Sequence, residues 1–428
     1  MSVTSRREFL KTAGRAGLGT ATALAFPNII SARDAKPTIK VLGTHVTLQE
    51  PIRQKAEKDL GIRIEFYPGG SAEIIHKAST DPGSFDLYEQ WSNSIRVLWN
   101  AHAIQPIEIS RLKYWDEIND LTKKGRISPQ AQMGAGDVPH KLLYVQKDGT
   151  LSGKASDTIS FLPYVHNVDS YGYNSALIPK GIPYETESWS WLLDERYRGK
   201  VALINEPTIG LFDMILAVTG KGLIQFKDMG NPTREELDRL FEIMNDYRRK
   251  GQFRGVWTSV PQSAELMIRG EVTLESMFSP GVSMVNSAGI PCVYAAPREG
   301  YRAWHGVMCL SRESRGERQE AAYAFMNWWL SGWPGAFIAR QGYYISNPQR
   351  SRPLMEKEEW DYWYEGKPAA KPLLGPDGRV TVKKGEVRNG GSYIKRFENI
   401  AVWNTVIDQY EYALLKWNDF LSTETGEL

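Results

Sequence analysis

Short apolar runs alternate with amphipathic stretches in the first part of the chain. Strand-like runs cover residues 38–46, 62–67 and 85–87, and helical spacing covers 48–60, 72–78 and 95–103. This βαβαβ order predicts a parallel sheet with right-handed crossovers. Ligands of such sheets bind at the carboxyl ends of the strands. The polar and aromatic side chains at two of these ends are therefore candidate binding residues: His45, Glu89, Gln90 and Trp91.

A second alternating region follows residues 161–174 (FLPYVHNVDSYGYN). It contains a helical turn at 189–197, strands at 200–204, 272–278, 291–295 and 306–310, and helices at 210–218, 233–250, 263–269 and 317–331. A long, aromatic-rich helical pattern covers 393–421, after a loop region rich in Gly, Pro and Lys. Two α/β units with a return segment predict two lobes around a cleft, an arrangement that closes on ligands by hinge motion.

These patterns predict an α/β fold in which each lobe is a mainly parallel sheet flanked by helices. We expect residues 1–32 to form a signal peptide, 33–165 and the return segment 296–355 to form the first lobe, 166–295 to form the second lobe, and 356–428 to form a C-terminal extension whose long aromatic-rich helix packs on the lobes. Two crossings, near 165–173 and 294–300, join the lobes as a hinge.

The N-terminus carries an arginine pair ahead of a short apolar stretch. Residues 5–11 (SRREFLK) precede a mildly apolar run at 17–30, which is too short to span a bilayer core of about 30 Å. The pattern resembles a twin-arginine export signal, and an amphipathic N-terminal helix is the alternative. We expect cleavage after Ala25 or Ala32, export by the twin-arginine translocase, and a mature protein in the periplasm.

Charge and cysteine content exclude several classes of protein. The 52 Lys and Arg nearly balance 50 Asp and Glu, which argues against nucleic-acid binding by phosphate neutralisation. Cys292 and Cys309 are the two cysteines, too few for a disulfide scaffold or a CxxC zinc framework; they form either one disulfide or two buried free thiols.

Catalytic signatures are missing from the sequence. The six histidines lack HExxH and HxH spacing, and no GxSxG elbow occurs. We therefore expect no enzyme and no cofactor. The rival class is a secreted carbohydrate hydrolase, because the partnership of two catalytic carboxylates is spatial and a sequence does not reveal it.

Short motifs occur in a characteristic order along the mature chain. They are Pro163 Tyr164, Gly172 Tyr173 Asn174, Trp191 Leu192 Leu193 Asp194, Tyr197 Arg198 Gly199 Lys200 Val201, Gly270 Glu271 Val272, Phe278, Pro297 Arg298 Glu299 Gly300, Trp304, and Gly342 Tyr343 with Asn347. On these motifs the chain resembles the extracellular solute-binding proteins of ABC importers, nearest the spermidine/putrescine-binding group. The resemblance implies a two-lobed periplasmic-binding-protein fold of type II. It also implies a monomer that closes on a small solute and delivers it to membrane permease subunits.

The chain departs from the polyamine-binding pattern at positions that would contact the solute. Where that pattern has Trp, one residue and then Asp, this chain has Trp304 His305 Gly306. Asn205 and Glu206 stand where an acidic pair is usual. Polyamine binders hold ammonium groups with carboxylates and pack the methylene chain between aromatic rings. A dication would then need Glu89 and Glu206 as its partners.

The resemblance and the strand ends together define a candidate solute site. Its aromatic members are Trp304, Phe278 and Trp91, and its polar members are Glu89, Glu206, Asn205, His45 and His305. A small organic, polyamine-like cation is the expected solute. The alternatives are an amino acid, a quaternary amine, an anion at Arg302 or His305, and a ferric ion at Tyr343 and Tyr344.

Overall fold

The first predicted unit is present in the computed structural model, which describes residues 36–422. The strands are β1 Thr38–Gly43, β2 Arg63–Pro68, β3 Leu87–Trp91, β4 Ile104–Gln105, β5 Ile107–Glu108, β6 Tyr144–Val145, β7 Leu151–Ser152, β8 Thr158–Ile159, β9 Leu162–Asn174, β10 Val201–Ile204, β11 Phe253–Trp257, β12 Leu274–Met277, β13 Cys292–Tyr294, β14 Tyr301–Ser311, β15 Tyr344–Ile345, β16 Leu373–Leu374, β17 Val380–Val382 and β18 Ile400–Trp403. The helices are α1 Glu50–Leu60, α2 Ser71–Thr80, α3 Ile95–Asn100, α4 Asp120–Lys124, α5 Pro207–Gly220, α6 Arg234–Arg249, α7 Val260–Ile268, α8 Ser279–Ser287, α9 Gly316–Trp329, α10 Trp333–Ala339, α11 Pro348–Ser351, α12 Lys357–Trp363, α13 Tyr393–Phe397 and α14 Tyr410–Ser422. The predicted export signal lies outside the described residues.

Strand β1 is the centre of the first half of the main sheet. It pairs in parallel with β2 on one side and with β3 on the other, as the βαβαβ pattern predicts. Strand β14 continues the sheet antiparallel to β3. This pairing places Trp91, the last residue of β3, opposite Gly306 of β14.

Strand β9 connects this half of the sheet to a second half. Its residues up to Asp169 pair with β14, and its residues from Ser170 onward pair with β12 and β13. Strand β12 pairs in parallel with β10, which pairs in parallel with β11. The two halves of the sheet therefore meet where β9 changes its partner.

Each half of the sheet has its own hydrophobic core. In the first half, Val41 and Leu87 are fully buried in the same cluster as Phe325 of α9. In the second half, Leu203 is buried in the same cluster as Phe212 of α5. The central strands β9 and β14 are almost entirely buried, although both contain polar and charged residues.

The charged helix predicted at 233–250 corresponds to α6. The Thr233 hydroxyl accepts a hydrogen bond from the Glu236 amide, and the Glu236 carboxylate accepts one from the Thr233 amide. This capping box satisfies two amides that otherwise have no helical partner. Leu237, Leu240 and Met244 form the buried stripe, and charged residues occupy the exposed side.

The C-terminal segment differs from the single helix predicted at 393–421. It forms α13, then β18 and then α14. The run from Ile400 to Trp403 is rich in β-branched and aromatic residues and pairs in parallel with β14. Pairing with an available strand outweighs the helical periodicity of this run. Beyond β18, helix α14 packs against α5 and α6 of the second half.

The two cysteines are buried free thiols, so the disulfide alternative is wrong for this structure. Cys292 lies on β13 and Cys309 lies on β14. Burial raises the pKa of both thiols, and the charges of Glu275 near Cys292 and of Glu89 near Cys309 raise it further. Because the thiolate is the reactive form, both cysteines should be chemically inert in the folded chain.

From Pro37 onward the chain forms one compact unit, and the lobe boundaries given above remain predictions. Within residues 36–422, no helix is long and apolar enough to cross a bilayer.

Candidate functional site

An aromatic cavity lies where the two halves of the sheet meet. Trp91 and Trp304 line it from the first half, and Phe278 lines it from the end of β12 in the second half. The space measures ≈ 370 Å³ including its open mouth. The remaining lining residues are Val46, Asp169, Ile209, Ser279, Pro280, Tyr343 and Asn404. The structure thus brings together all three aromatic residues that the sequence predicted for the site.

Three of the rings form adjoining walls. The ring centroids of Trp91 and Trp304 are 4.4 Å apart with planes inclined by 57°. Those of Trp304 and Tyr343 are 5.8 Å apart with planes inclined by 62°. Phe278, which follows β12 in the second half of the sheet, packs nearly at right angles to Trp257, with a centroid distance of 5.3 Å. Aromatic faces carry negative electrostatic potential, so a space enclosed by several rings favours a cation.

Strand geometry decides which residues reach this space. Successive side chains of a strand point to opposite faces, so Arg302 and Trp304 share one face of β14 and His305 lies on the other. Trp91 is the last residue of a parallel strand, at the edge where ligands of such sheets bind. The local pattern therefore explains why Trp91 and Trp304 meet.

Asp169 and Asn404 line the cavity although the sequence did not identify them as site residues. Asp169 is the one acidic residue of the 13-residue strand β9, and a lone acid in an otherwise buried strand is a signal that the sequence offered. Asn404 follows β18 directly, and it reaches the cavity only because β18 pairs with β14. No local pattern in the sequence identifies Asn404.

A buried guanidinium lies between two carboxylates beside the cavity. Arg302 Nε donates to Asp213 Oδ1 at 2.7 Å, and Arg302 Nη1 donates to Asp169 Oδ2 at 3.4 Å. Nη1 also donates to Asn404 Oδ1 at 3.3 Å. All three ionisable side chains are almost inaccessible to water. With both carboxylates ionised, the group of Asp169, Arg302 and Asp213 carries a net negative charge.

Burial shifts the titration of both carboxyls upward. It raises the pKa of Asp213 to about 6, although the charge of Arg302 favours ionisation. Burial also raises the pKa of Asp169, against the effects of Arg302 and of hydrogen bonds from Tyr294 and Trp304. Burial disfavours the charged form, and the neighbouring guanidinium offsets only part of that cost.

Glu89 lies away from the cavity. Its Oε2 accepts hydrogen bonds from the Thr44 amide at 3.1 Å and from the Thr44 hydroxyl at 3.4 Å. The side chain is packed so closely against Gly43 that a Cβ there would lie 2.6 Å from Oε2. Burial raises the pKa of Glu89 despite hydrogen bonds from Thr47 and Tyr164. Glu89 therefore fixes the loop after β1 and does not line the space.

Asn205 and Glu206 lie at the start of α5, as predicted, but neither lines the cavity. Asn205 Oδ1 accepts a hydrogen bond from the indole of Trp417 on α14 at 3.0 Å. Glu206 Oε2 accepts one from the Thr208 hydroxyl at 2.7 Å, and burial raises the pKa of Glu206. The first turn of α5 reaches the cavity through Ile209 instead.

Neither predicted histidine forms part of the cavity wall. His45 is exposed in the turn after β1, next to Val46, which does line the cavity. His305 is fully buried; its Nδ1 donates to the Gly306 carbonyl at 2.8 Å and its Nε2 accepts from the Thr122 hydroxyl at 2.5 Å. Burial lowers the pKa of His305 to about 4, so this side chain is neutral at physiological pH.

Tyr343 and Tyr344 do not meet as a pair of metal ligands. Tyr343 lines the cavity, whereas Tyr344 is buried on β15, where its hydroxyl donates to the Trp363 carbonyl at 3.0 Å. Among the described residues, no group of three or more His, Cys, Asp or Glu side chains is arranged to hold a metal ion. The ferric alternative therefore has no support in the described geometry.

Comparisons with known proteins agree with the resemblance seen in the sequence. A family model described as bacterial extracellular solute-binding protein matches residues 52–353. No curated protein matches the sequence.

Solved structures share the fold over nearly the whole chain. The spermidine/putrescine substrate-binding protein PotD of Streptococcus pneumoniae is 13% identical over 90% of this chain and 99% of its own, with a TM-score of 0.58. A spermidine/putrescine ABC transporter protein of Listeria monocytogenes is 14% identical over 90% and 99%, with a TM-score of 0.63. The Atu4243 GABA receptor is 12% identical over 92% and 99%, with a TM-score of 0.58. These likenesses confirm the predicted periplasmic-binding-protein fold, and the match of the family model shows that the chain belongs to the bacterial extracellular solute-binding proteins.

Proposed function

We propose that this chain is the substrate-binding component of an ABC importer and that it captures a small organic cation in the aromatic cavity. The observation that carries the proposal is the composition of that cavity: aromatic walls from both halves of the sheet and, within the described part of the chain, Asp169 as the one charged residue that lines it. Ring faces and a carboxylate are the groups that attract organic cations. Two structural neighbours named for spermidine and putrescine support the same class.

Solute binding would draw the two halves of the sheet together. Trp304 lies on the first half and Phe278 at the end of a strand of the second, so a solute that touches both is bound more tightly when the halves approach. A ligand shifts such an equilibrium by its differential affinity for the closed state. The hinge would lie in β9 and in the segment that leads into β14, and the lobes would have the boundaries predicted from the sequence.

Capture by closure requires no chemical step, and the proposed role is therefore not enzymatic. A glycoside hydrolase needs two carboxyl groups across its cleft, whereas among residues 36–422 Asp169 is the one carboxylate that lines this cavity. The closed form would be recognised by the permease subunits, with the binding protein acting as a monomer. The arginine pair at the N-terminus supports twin-arginine export to the periplasm with removal of the signal.

The position of the carboxylates bears on which solute is taken up. Polyamines are at least dications, and neither Glu89 nor Glu206 lines the cavity as a second anionic partner. An amino acid is the second candidate, because one neighbour is named as a GABA receptor. Its carboxylate would need a cation, and the nearby cation, Arg302, already pairs with Asp169 and Asp213.

Identification of the solute tests the proposal directly. The purified mature protein should release a small organic cation on denaturation, detectable by mass spectrometry. The protein stripped of its solute should then bind that cation in calorimetry, within a panel of putrescine, spermidine, choline and GABA. Binding should raise the melting temperature by mass action. A protein that releases no cation and gives no heat with any member of the panel would refute the proposal.

A further inference from the structure

The aromatic cavity has few hydrogen-bond acceptors to offer a ligand. The side-chain oxygens of its lining residues are those of Asp169, Asn404, Ser279 and Tyr343. Asp169 Oδ1 already accepts from the Tyr294 hydroxyl at 3.2 Å, and Asp169 Oδ2 and Asn404 Oδ1 both accept from Arg302. The protein itself therefore uses part of the acceptor capacity of Asp169 and Asn404, and an incoming ammonium group would have to share these oxygens with Tyr294 and Arg302.

Primary and quaternary ammonium groups differ in what they require from such a wall. A primary ammonium carries three N–H donors, and each donor buried without an acceptor costs free energy. A quaternary ammonium has no N–H group and presents methyl groups that gain by leaving water. Its positive charge is stabilised by aromatic faces, an arrangement that recurs in sites for methylated ammonium ions. The cavity therefore suits a quaternary ammonium group better than a primary one.

The placement of the rings and the single acidic residue of the wall also favour a quaternary ammonium group. Trp91, Trp304 and Tyr343 form adjoining walls inclined by 57° and 62°, and Phe278 adds a ring from the second half of the sheet. Rings inclined to one another suit a compact, rounded group better than a flat one. The wall carries one acid, Asp169, which matches a single positive charge and leaves the far end of a diamine without a partner.

We infer that this cavity binds a quaternary ammonium group, enclosed by Trp91, Trp304, Tyr343 and Phe278 and neutralised by Asp169. The solute is then a small monocation of the choline type and not a polyamine. The inference rests on the proposed function, in that it takes the cavity as the solute site, and it names the chemical class that the site selects.

The test uses four probes on the stripped, mature protein, with affinities measured by isothermal titration calorimetry. Tetramethylammonium and choline carry the quaternary group, putrescine carries primary ammonium groups, and 3,3-dimethylbutan-1-ol has the shape of choline without its charge. Choline should bind at least tenfold more tightly than putrescine and at least tenfold more tightly than the neutral alcohol. Tetramethylammonium should compete with choline for the same site.

A pair of tryptophan variants locates the site. Trp91 and Trp99 are both half-buried and pack against the same hydrophobic core, but only Trp91 lines the cavity. Trp91→Leu should weaken choline binding at least tenfold, because it removes a ring face while keeping an apolar side chain. Trp99→Leu should leave the affinity within about twofold. A circular dichroism melt establishes that each variant is folded.

Each outcome has a definite meaning. Tight binding of putrescine with no binding of choline would overturn the quaternary assignment and leave the cation-importer proposal standing. Equal binding of choline and its neutral isostere would show that the cavity is only apolar and would overturn the assignment. Choline affinity that survives Trp91→Leu would place the site elsewhere. If no amine binds, both the quaternary assignment and the proposed function are refuted.

Discussion

Replacing Asp169 by Asn removes the one charge that lines the cavity and hardly changes the shape of the side chain. For a cation centred roughly 5 Å from the carboxylate, an effective dielectric constant of about 20 gives an attraction of about 3 kcal/mol, roughly a hundredfold in affinity. Arg302 lies 3.4 Å from Asp169 Oδ2 and cancels part of this attraction. We therefore expect Asp169→Asn to weaken cation binding between about ten- and a hundredfold.

Folding stability should change much less than affinity. Burial already raises the pKa of Asp169, which means that the ionised carboxylate is less stable in the fold than in water. In the variant, Arg302 keeps its hydrogen bond to Asp213 at 2.7 Å, and the new amide oxygen can accept from Tyr294. The free energy of unfolding, measured by urea denaturation, should therefore stay within about 1 kcal/mol of the parent value.

Glu89→Gln is the matched control for this variant. Glu89 is another buried carboxylate whose pKa is raised by burial, but it is bonded to Thr44 and lies away from the cavity. Calorimetry with choline, or with the solute identified by mass spectrometry, should show unchanged affinity for Glu89→Gln. If Glu89→Gln lost affinity while Asp169→Asn kept it, the electrostatic account of the cavity would be wrong.

Three further outcomes can be checked with purified protein. Cation affinity measured by calorimetry should fall as pH is lowered through about 6, because protonation of Asp213 removes the excess negative charge of the buried group formed by Asp169, Arg302 and Asp213. Affinity that is flat from pH 5 to 8 would contradict this. Trp417→Phe should lower the free energy of unfolding in urea by about 1 to 2 kcal/mol, since Asn205 loses its indole donor. Trp417→Ala should cost about 3 to 5 kcal/mol because it also leaves a cavity, and equal effects of the two variants would contradict the role of the hydrogen bond. Cys292 and Cys309 should resist a thiol reagent in the native protein and react as two thiols in denaturant, whereas a disulfide would leave none to react.

Local patterns in the sequence predicted much of the fold because they report strand and helix periodicity directly. The parallel pairing of β1 with β2 and β3 follows from the βαβαβ order, and the charged helix α6 follows from its cap and buried stripe. The C-terminal helix was predicted too long, since the pairing of β18 with β14 is a contact distant in sequence. Periodicity alone does not show whether a partner strand is available.

The sequence likewise predicted only some of the residues that line the candidate site. Trp91 was predictable because it follows a recognisable strand, and Trp304 was predictable because it belongs to the motif series on which the family resemblance rests. Glu89 and Asn205 also lie where the sequence placed them, yet their side chains bond to Thr44 and Trp417 and do not line the cavity. Whether a polar residue near a strand end faces a ligand or another part of the chain depends on which segments pack against it.

The sequence by itself determined the α/β class, the family and the aromatic character of the site, since these depend on periodicity, motif order and residue type. Only the tertiary structure decided the charge of the site. It brought Asp169 from β9, Arg302 from β14 and Asp213 from α5 into one buried group, although these residues are far apart along the chain. The physical reason is that electrostatic interaction depends on distance and burial in space, and spacing along the sequence specifies neither.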